Sequence, residues 1–129
     1  MRSAHRQCDP FGVPLKCLIV DDNSLFLEGA TDLLRREGIE VVGVASNSSA
    51  ANRLARELRP DVTLVDVDLG DEDGLELARE LSDVSRVILV STHSEEDFAE
   101  LIAASPALGF IAKTQLSARA IQDTLERAA

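Results

Sequence analysis

Side chains capable of chemistry gather where short aliphatic runs end. Asp21, Asp22 and Asn23 follow one run, and Asp66 and Asp68 close another. Ser91, Thr92 and His93 follow a third, and Lys113 follows a fourth. Three carboxylates within a few ångströms repel one another, and at least one would keep its proton at neutral pH unless a cation joined them. Oxygen ligands with room for water suit Mg²⁺, which favours one or two carboxylates together with phosphate oxygens. A carboxylate in that setting can act as a nucleophile toward phosphorus and form an aspartyl phosphate. Mg²⁺ and Lys113 would neutralise equatorial oxygens in the transition state, and Ser91 could donate a hydrogen bond to the transferred group. Zinc is a poor fit, because neither His5 nor His93 has a thiolate partner near it.

Whether these groups meet depends on the elements that carry them. Residues 15–20 form a short aliphatic run that stops at Asp21 and reads as a buried strand. Asn23 or Ser24 can cap the helix that follows, with Phe26, Leu27, Ala30, Leu33 and Leu34 on one face and Gly38 as its stop. Residues 39–45 are a second strand. The next helix is capped within residues 46–49, buries Ala51, Leu54, Ala55 and Leu58, and stops before Pro60. Residues 62–67 are the third strand, 70–74 a polar turn, and a short helix then buries Leu77, Ala78 and Leu81. Residues 87–90 are the fourth strand. A helix over 95–104 presents Phe98, Leu101 and Ile102. Residues 109–112 are the fifth strand, and a last helix over 117–128 buries Ala120, Ile121, Thr124, Leu125 and Ala128.

Strands that are unbroken aliphatic runs belong to a parallel sheet covered on both faces. Alternating βα units predict an α/β fold with a doubly wound parallel sheet and right-handed crossovers. In such sheets, ligand sites form at the C-terminal ends of the strands, where the reactive groups stand. Singly, each has an ordinary reading: an acid after a strand caps a helix, a serine closes a turn, a lysine is solvated. Their joint occurrence at successive strand ends favours a shared site.

Composition narrows the rest. The chain has 129 residues, enough for one domain, and a formal net charge of −10, which repels a phosphate backbone and argues against direct nucleic-acid binding. Apolar residues are 45% of the chain with four Phe and no Trp or Tyr, so the core must be aliphatic. No run approaches the roughly 18 apolar residues of a membrane span, and residues 1–14 lack the apolar stretch of a signal peptide. The expectation is a cytoplasmic protein with a flexible arm over residues 1–14 and one domain over 15–129. Cys8 and Cys17 make no disulfide framework, and Cys17 reads as a small buried hydrophobe. His93 beside Ser91 and Ser94 could suggest a hydrolase, but no G-x-S-x-G turn supports one.

Taken in order, Leu18-Ile19-Val20-Asp21-Asp22-Asn23, Pro60-Asp61-Val62-Thr63-Leu64-Val65-Asp66-Val67-Asp68-Leu69, Asp73-Gly74, Val87-Ile88-Leu89-Val90-Ser91-Thr92 and Gly109-Phe110-Ile111-Ala112-Lys113 resemble the response-regulator receiver domains of two-component signalling. The resemblance implies a flavodoxin-like (βα)5 fold with strand order 2-1-3-4-5. It implies that Asp66 is the phosphoacceptor and that Mg²⁺ is held by Asp21, Asp22, Asp66 and the backbone carbonyl of Asp68. Asp22 would be a more direct ligand than Asp21. Ser91 would be the switch hydroxyl, Lys113 the phosphate-contacting lysine, and Phe110 the aromatic that turns inward with Ser91. The implied function is a phosphorylation-dependent signalling switch, regulatory rather than enzymatic, fed by a sensor histidine kinase. Its output would be an effector domain or homodimer engaged through the fourth helix, fifth strand and fifth helix. The Gly-Phe-Ile-Ala-Lys-Thr ending resembles the branch joined to helix-turn-helix domains.

The sequence departs from the family pattern at three places. Gly70 stands where proline is common, so the loop after Asp66 is expected to be more mobile. Thr114 follows Lys113 where proline is common, and a cis bond there would cost about 3 kcal/mol, so none is expected. Asp68, Asp71, Glu72 and Asp73 make the loop acidic, which should alter access of water to a phosphoryl group on Asp66. Two alternatives remain. One is a pseudo-receiver that binds proteins without being phosphorylated. The other is a haloacid-dehalogenase-type phosphatase, whose DxDx(T/G) motif resembles Asp66-Val67-Asp68-Leu69-Gly70, though two strands precede it here.

Overall fold

The computed structural model describes residues 14–128. Five strands, β1 (Lys16–Val20), β2 (Glu40–Ala45), β3 (Val62–Asp66), β4 (Arg86–Ser91) and β5 (Gly109–Ala112), alternate with five helices, α1 (Ser24–Arg36), α2 (Ser48–Leu58), α3 (Gly74–Leu81), α4 (Ala99–Ala103) and α5 (Ala118–Ala128). The strands form one parallel sheet in the order β2-β1-β3-β4-β5, which is the expected doubly wound arrangement. The arm expected over residues 1–14 lies outside the described residues except for Pro14, and so do Cys8 and His5.

Alternation along the buried strands divides the interior into two layers. Cys17, Ile19, Leu64 and Ile88 face one side with Leu27, Leu34, Ile121 and Leu125 of α1 and α5. Leu18, Val65 and Leu89 face the other, against Ala51, Ala55, Leu77 and Leu81 of α2 and α3. Every residue of β3 is buried, so the strand that ends in Asp66 has no freedom to slip without moving both layers. Cys17 is fully buried, and burial pushes its thiol up to about 12; it is a core residue, as expected.

The helix caps explain how the chain leaves each strand. Asn23 caps α1 by accepting from the Leu25 and Phe26 N–H groups at 3.0 and 3.2 Å. Asn47 caps α2 through the Ala50 N–H, and Asp73 caps α3 through the Leu75 N–H. Gly38, at φ 95°, follows α1 and lets the chain reverse into β2. Gly74 is tight for another reason: a Cβ there would run into the Asp66 carbonyl oxygen.

Three expectations are corrected. The helix predicted over 95–104 is a 3₁₀ turn, Glu95–Phe98, followed by a five-residue α4 with no buried residue. Leu101, expected on its inner face, is 54% exposed, because the turn and the short helix present only Phe98 and Ile102, one from each, to the core. Ala128, expected on the buried face of α5, is exposed. The polar turn over 70–74 is part of a small antiparallel hairpin pairing Asp68–Leu69 with Glu72–Asp73, and Gly74 already belongs to α3. No cis peptide bond occurs among the described residues.

Two glycines should respond oppositely to alanine. Gly29, inside α1, has nothing within 4 Å of where an alanine methyl would stand, so Gly29→Ala should raise stability by about 0.5–1 kcal/mol. Gly74→Ala should lower it by about 3 kcal/mol through overpacking. Urea denaturation of the two variants checks both signs.

Candidate functional site

The C-terminal ends of β1, β3, β4 and β5 bring the singled-out residues to one edge of the sheet. Asp21 follows β1 and is 0% exposed. Its Oδ1 accepts from the Asn23 N–H at 2.8 Å. Its buried Oδ2 has the Lys113 ammonium against it and no further donor. Asp66 ends β3 and is 5% exposed. Its Oδ1 accepts from the Asp68 N–H at 3.1 Å, and its Oδ2 accepts from Lys113 Nζ at 3.2 Å. Lys113, just past β5, therefore reaches over the end of β4 to two carboxylates at once.

Asp22 is exposed, yet carboxylate oxygens of Asp21, Asp22 and Asp66 all lie within 4.8 Å of one another. Three carboxylates on one ammonium leave uncompensated negative charge, and one buried carboxylate oxygen has only the lysine. This donor set fits a hard divalent cation.

Ionisation reflects the same crowding. Burial raises the Asp66 carboxyl, and Asp21 raises it further. The Asp68 N–H and Lys113 pull the other way, leaving it at about 6 instead of 3.8. Burial alone would depress Lys113, but its contacts with Asp21 and Asp66 outweigh that and hold it above the usual lysine value.

Ser91 ends β4 and is 1% exposed. Its Oγ accepts from the His93 N–H at 3.1 Å and lies 3.5 Å from His93 Nδ1, so the hydroxyl is engaged in its own loop. Phe110 on β5 is half-buried against the α2–α3 layer. Asp68 turns its carboxylate outward, 4.0 Å from His93 Nδ1. His93 thus meets Ser91, its neighbour in sequence, and also Asp68, which its sequence context did not suggest. Both stand at the same ring nitrogen, which cannot accept from one and donate to the other, so no hydrolase relay is formed.

Two residues make contacts that were not expected from sequence. Phe26, expected only as part of a helix face, places its ring 4.4 Å from Lys113 Nζ and gives the ammonium an aromatic face. Glu72 accepts from both the backbone N–H and the hydroxyl of Ser48, each at 2.8 Å. The loop expected to be mobile because of Gly70 is therefore tied to α2 by Glu72 and caps α3 with the next residue, Asp73. Gly70 lies at φ 62°, a conformation closed to proline.

The family model of the response regulator receiver domain matches residues 17–126, and the chain belongs to this family of phosphorylation-controlled signalling domains. It is 38% identical over 104 residues to response regulator GacA of Pseudomonas aeruginosa, covering 77% of this chain but 48% of GacA; the chain spans about half the length of that relative. The signal receiver domain of the response regulator NarL from Mycobacterium tuberculosis superposes with a TM-score of 0.76 at 28% identity, covering 89% of this chain and 96% of that one. A response regulator from Burkholderia pseudomallei, solved with a phosphorylated aspartic acid, a calcium ion and citrate, gives 0.75 at 26% identity, covering 86% and 66%. The family match runs across all five strands, with Asp66 on the central one, which leaves the phosphatase alternative without support. Among the described residues no helix is long and apolar enough to cross a membrane.

Without a divalent cation, ionised Asp66 should weaken the fold. The folded state holds its proton to higher pH than the unfolded chain does, so stability falls as pH rises from about 4 to about 6, and the loss is complete above that. The rise from 3.8 to about 6 sets an upper limit of about 3 kcal/mol, and water at the cleft mouth reduces it to about 1–2 kcal/mol. Asp66→Asn should therefore be more stable by that amount at pH 7 and lose this part of the pH dependence, as read by urea denaturation in EDTA.

Proposed function

We propose that Asp66 is the phosphoacceptor of a switch that takes its phosphoryl group from a histidine kinase or a small acyl phosphate. The observation that carries this reading is the buried Asp66 carboxylate, paired with Lys113 beside two further aspartates at the open edge of the sheet. One Asp66 oxygen attacks phosphorus. The P–N bond of a phosphoimidazole, or the P–O bond of an acyl phosphate, breaks with its electron pair leaving on the donor. The imidazole departs with a proton taken from solvent, and water later attacks the aspartyl phosphate to return Asp66 and free phosphate.

Asp21, Asp22, Asp66 and the backbone carbonyl of Asp68 would hold Mg²⁺, which supplies charge neutralisation at the phosphoryl oxygens. The chain's own residues do the rest. Lys113 balances a further oxygen, and Phe26 and the two carboxylates hold its ammonium in place. The Asp68 N–H fixes the rotamer of Asp66. Ser91 gives up its contacts with the His93 loop to donate to the phosphoryl group, and Phe110 repacks into the space left behind. The face of α4, β5 and α5 then changes its preference for a partner, which is a population shift driven by contacts available only after phosphorylation. That partner is an effector domain or a second copy of the chain. A net charge of −10 disfavours nucleic acid as a direct ligand of this domain.

Incubation with acetyl phosphate and Mg²⁺ should add one phosphoryl group to the protein by intact mass, and none to Asp66→Asn. Lys113→Gln should slow the reaction about 10²-fold, in the range for loss of one transition-state charge contact. A wild type that stays unmodified by acetyl phosphate, and is unchanged by beryllofluoride in NMR spectra, would establish the pseudo-receiver reading instead. Asp68→Asn should change the rate at which phosphoprotein decays after the donor is removed; identical decay would show that the Asp68 carboxylate does not control access of water.

A further inference from the structure

The loop after Asp66 carries Asp68, Asp71, Glu72 and Asp73. Like charges so closely spaced favour an open loop, yet this one is folded into a hairpin that touches two of the three clustered aspartates. At one end, the Asp68 N–H donates to Asp66 Oδ1. At the turn, Gly70 backs onto Asp22 so closely that a Cβ on Gly70 would stand 3.1 Å from Asp22 Oδ2. On the returning strand, Glu72 pairs with Leu69 and reaches outside the loop. Its two carboxylate oxygens take the backbone N–H and the hydroxyl of Ser48, both at 2.8 Å.

Exposed ionic contacts usually contribute little, because two long side chains must be held in one geometry. Here one donor is a backbone N–H fixed by a helix, and the other is a hydroxyl on the same residue. Ser48 is the first residue of α2, so the carboxylate also meets the positive end of an eleven-residue helix. The two donors, backbone first, hold the Glu72 carboxyl below its ordinary value.

We infer that Glu72 and Ser48 form a clasp that sets the divalent-cation affinity of the Asp21–Asp22–Asp66 cluster. It does so by holding the hairpin so that Gly70 stands behind Asp22 and the Asp68 N–H stays on Asp66. Glu72 is a positioning residue: it acts through the hairpin. The inference rests on the proposed Mg²⁺ reading and adds a control point on α2, remote from the phosphoacceptor.

Ser48→Pro isolates the clasp. Proline is favoured at the first position of a helix, and Asn47 before it is extended, at φ −154° and ψ 171°, as a residue preceding proline prefers to be. The substitution removes both donors and leaves every charge in place. Mg²⁺ titration by calorimetry should show affinity about tenfold weaker than wild type, comparable to loss of an outer contact at a metal site. Amide hydrogen exchange at residues 68–72 should be faster. Glu72→Gln should weaken binding similarly, whereas Asp71→Asn, which removes the same charge from the same loop, should stay within about twofold because exposed charge is screened. A lower melting temperature for Ser48→Pro with unchanged Mg²⁺ affinity would overturn the clasp, as would equal losses in Asp71→Asn and Glu72→Gln. A wild type that binds no Mg²⁺ would instead overturn the metal reading itself, and the clasp with it.

Discussion

One partly buried ammonium holds the candidate site of this protein together. Lys113 meets Asp21 and Asp66 together, the first fully buried and the second nearly so. Without it, two carboxylates would be desolvated side by side at the ends of neighbouring strands, an arrangement that ordinarily forces one to stay protonated. With it the pair is tolerated but not balanced, since Asp22 adds a third carboxylate within reach. The position of every strand that matters follows from this contact. β1 and β3 must end level for Asp21 and Asp66 to share a cation, and β5 must end where a four-carbon stem can cross the end of β4. The site is a local conflict that the two apolar layers are strong enough to hold, and on the proposed reading a cation or phosphoryl group would resolve it.

A single backbone device prepares each reactive side chain. Asp21 accepts from the N–H two residues on, Asp66 from that of Asp68, and Ser91 from that of His93, at 2.8, 3.1 and 3.1 Å. Such contacts compete with strand continuation and turn the chain out of the sheet. They also fix the side-chain rotamer. In each aspartate one oxygen is taken by the backbone, and the other is left to Lys113. In Ser91 the oxygen accepts from the His93 N–H and lies 3.5 Å from His93 Nδ1, so the hydroxyl is held within its own loop. The contacts that end the strands therefore also aim the groups, and little further machinery is needed to orient them.

This explains why so much was legible in the sequence and where legibility ended. The central strands were visible because strands buried on both faces must be aliphatic throughout, the partly exposed edge strands β2 and β5 because they are still short apolar runs, and the candidate site residues because they terminate such runs. What the sequence did not reveal depends on contacts between distant parts of the chain. Nothing local says that Glu72 will find Ser48, or that Phe26 will lie under Lys113. Gly70 suggested a mobile loop because glycine is permissive. In the fold it supplies the φ of 62° that closes the hairpin and the room that Asp22 occupies. The helix expected over 95–104 failed because its apolar positions, Phe98, Leu101 and Ile102, have the right period, while the segment has too few buried contacts to sustain regular helix.

That last shortfall bears on function. Among the described residues, α4 is the one α-helix with no buried residue, and it starts from a 3₁₀ turn; elements with few buried contacts open at the least free-energy cost. It follows Ser91 and His93, whose loop is held by contacts within itself, and Phe98 lies edge-on to the His93 ring at 5.8 Å between centroids. On the proposed reading, a change of partner at the Ser91 hydroxyl would reach α4 through His93 and Phe98. By contrast, α2 is joined by polar contacts to α3 and to the segments on either side of it, from Glu72 with Ser48 through Glu80 with Asn52 to Asp83 with Arg56. The same sheet edge is thus braced on the α2–α3 side and loosely held on the α4 side. A free-energy change at Asp66 that is shared between them moves the looser side, which is where the proposed output face begins.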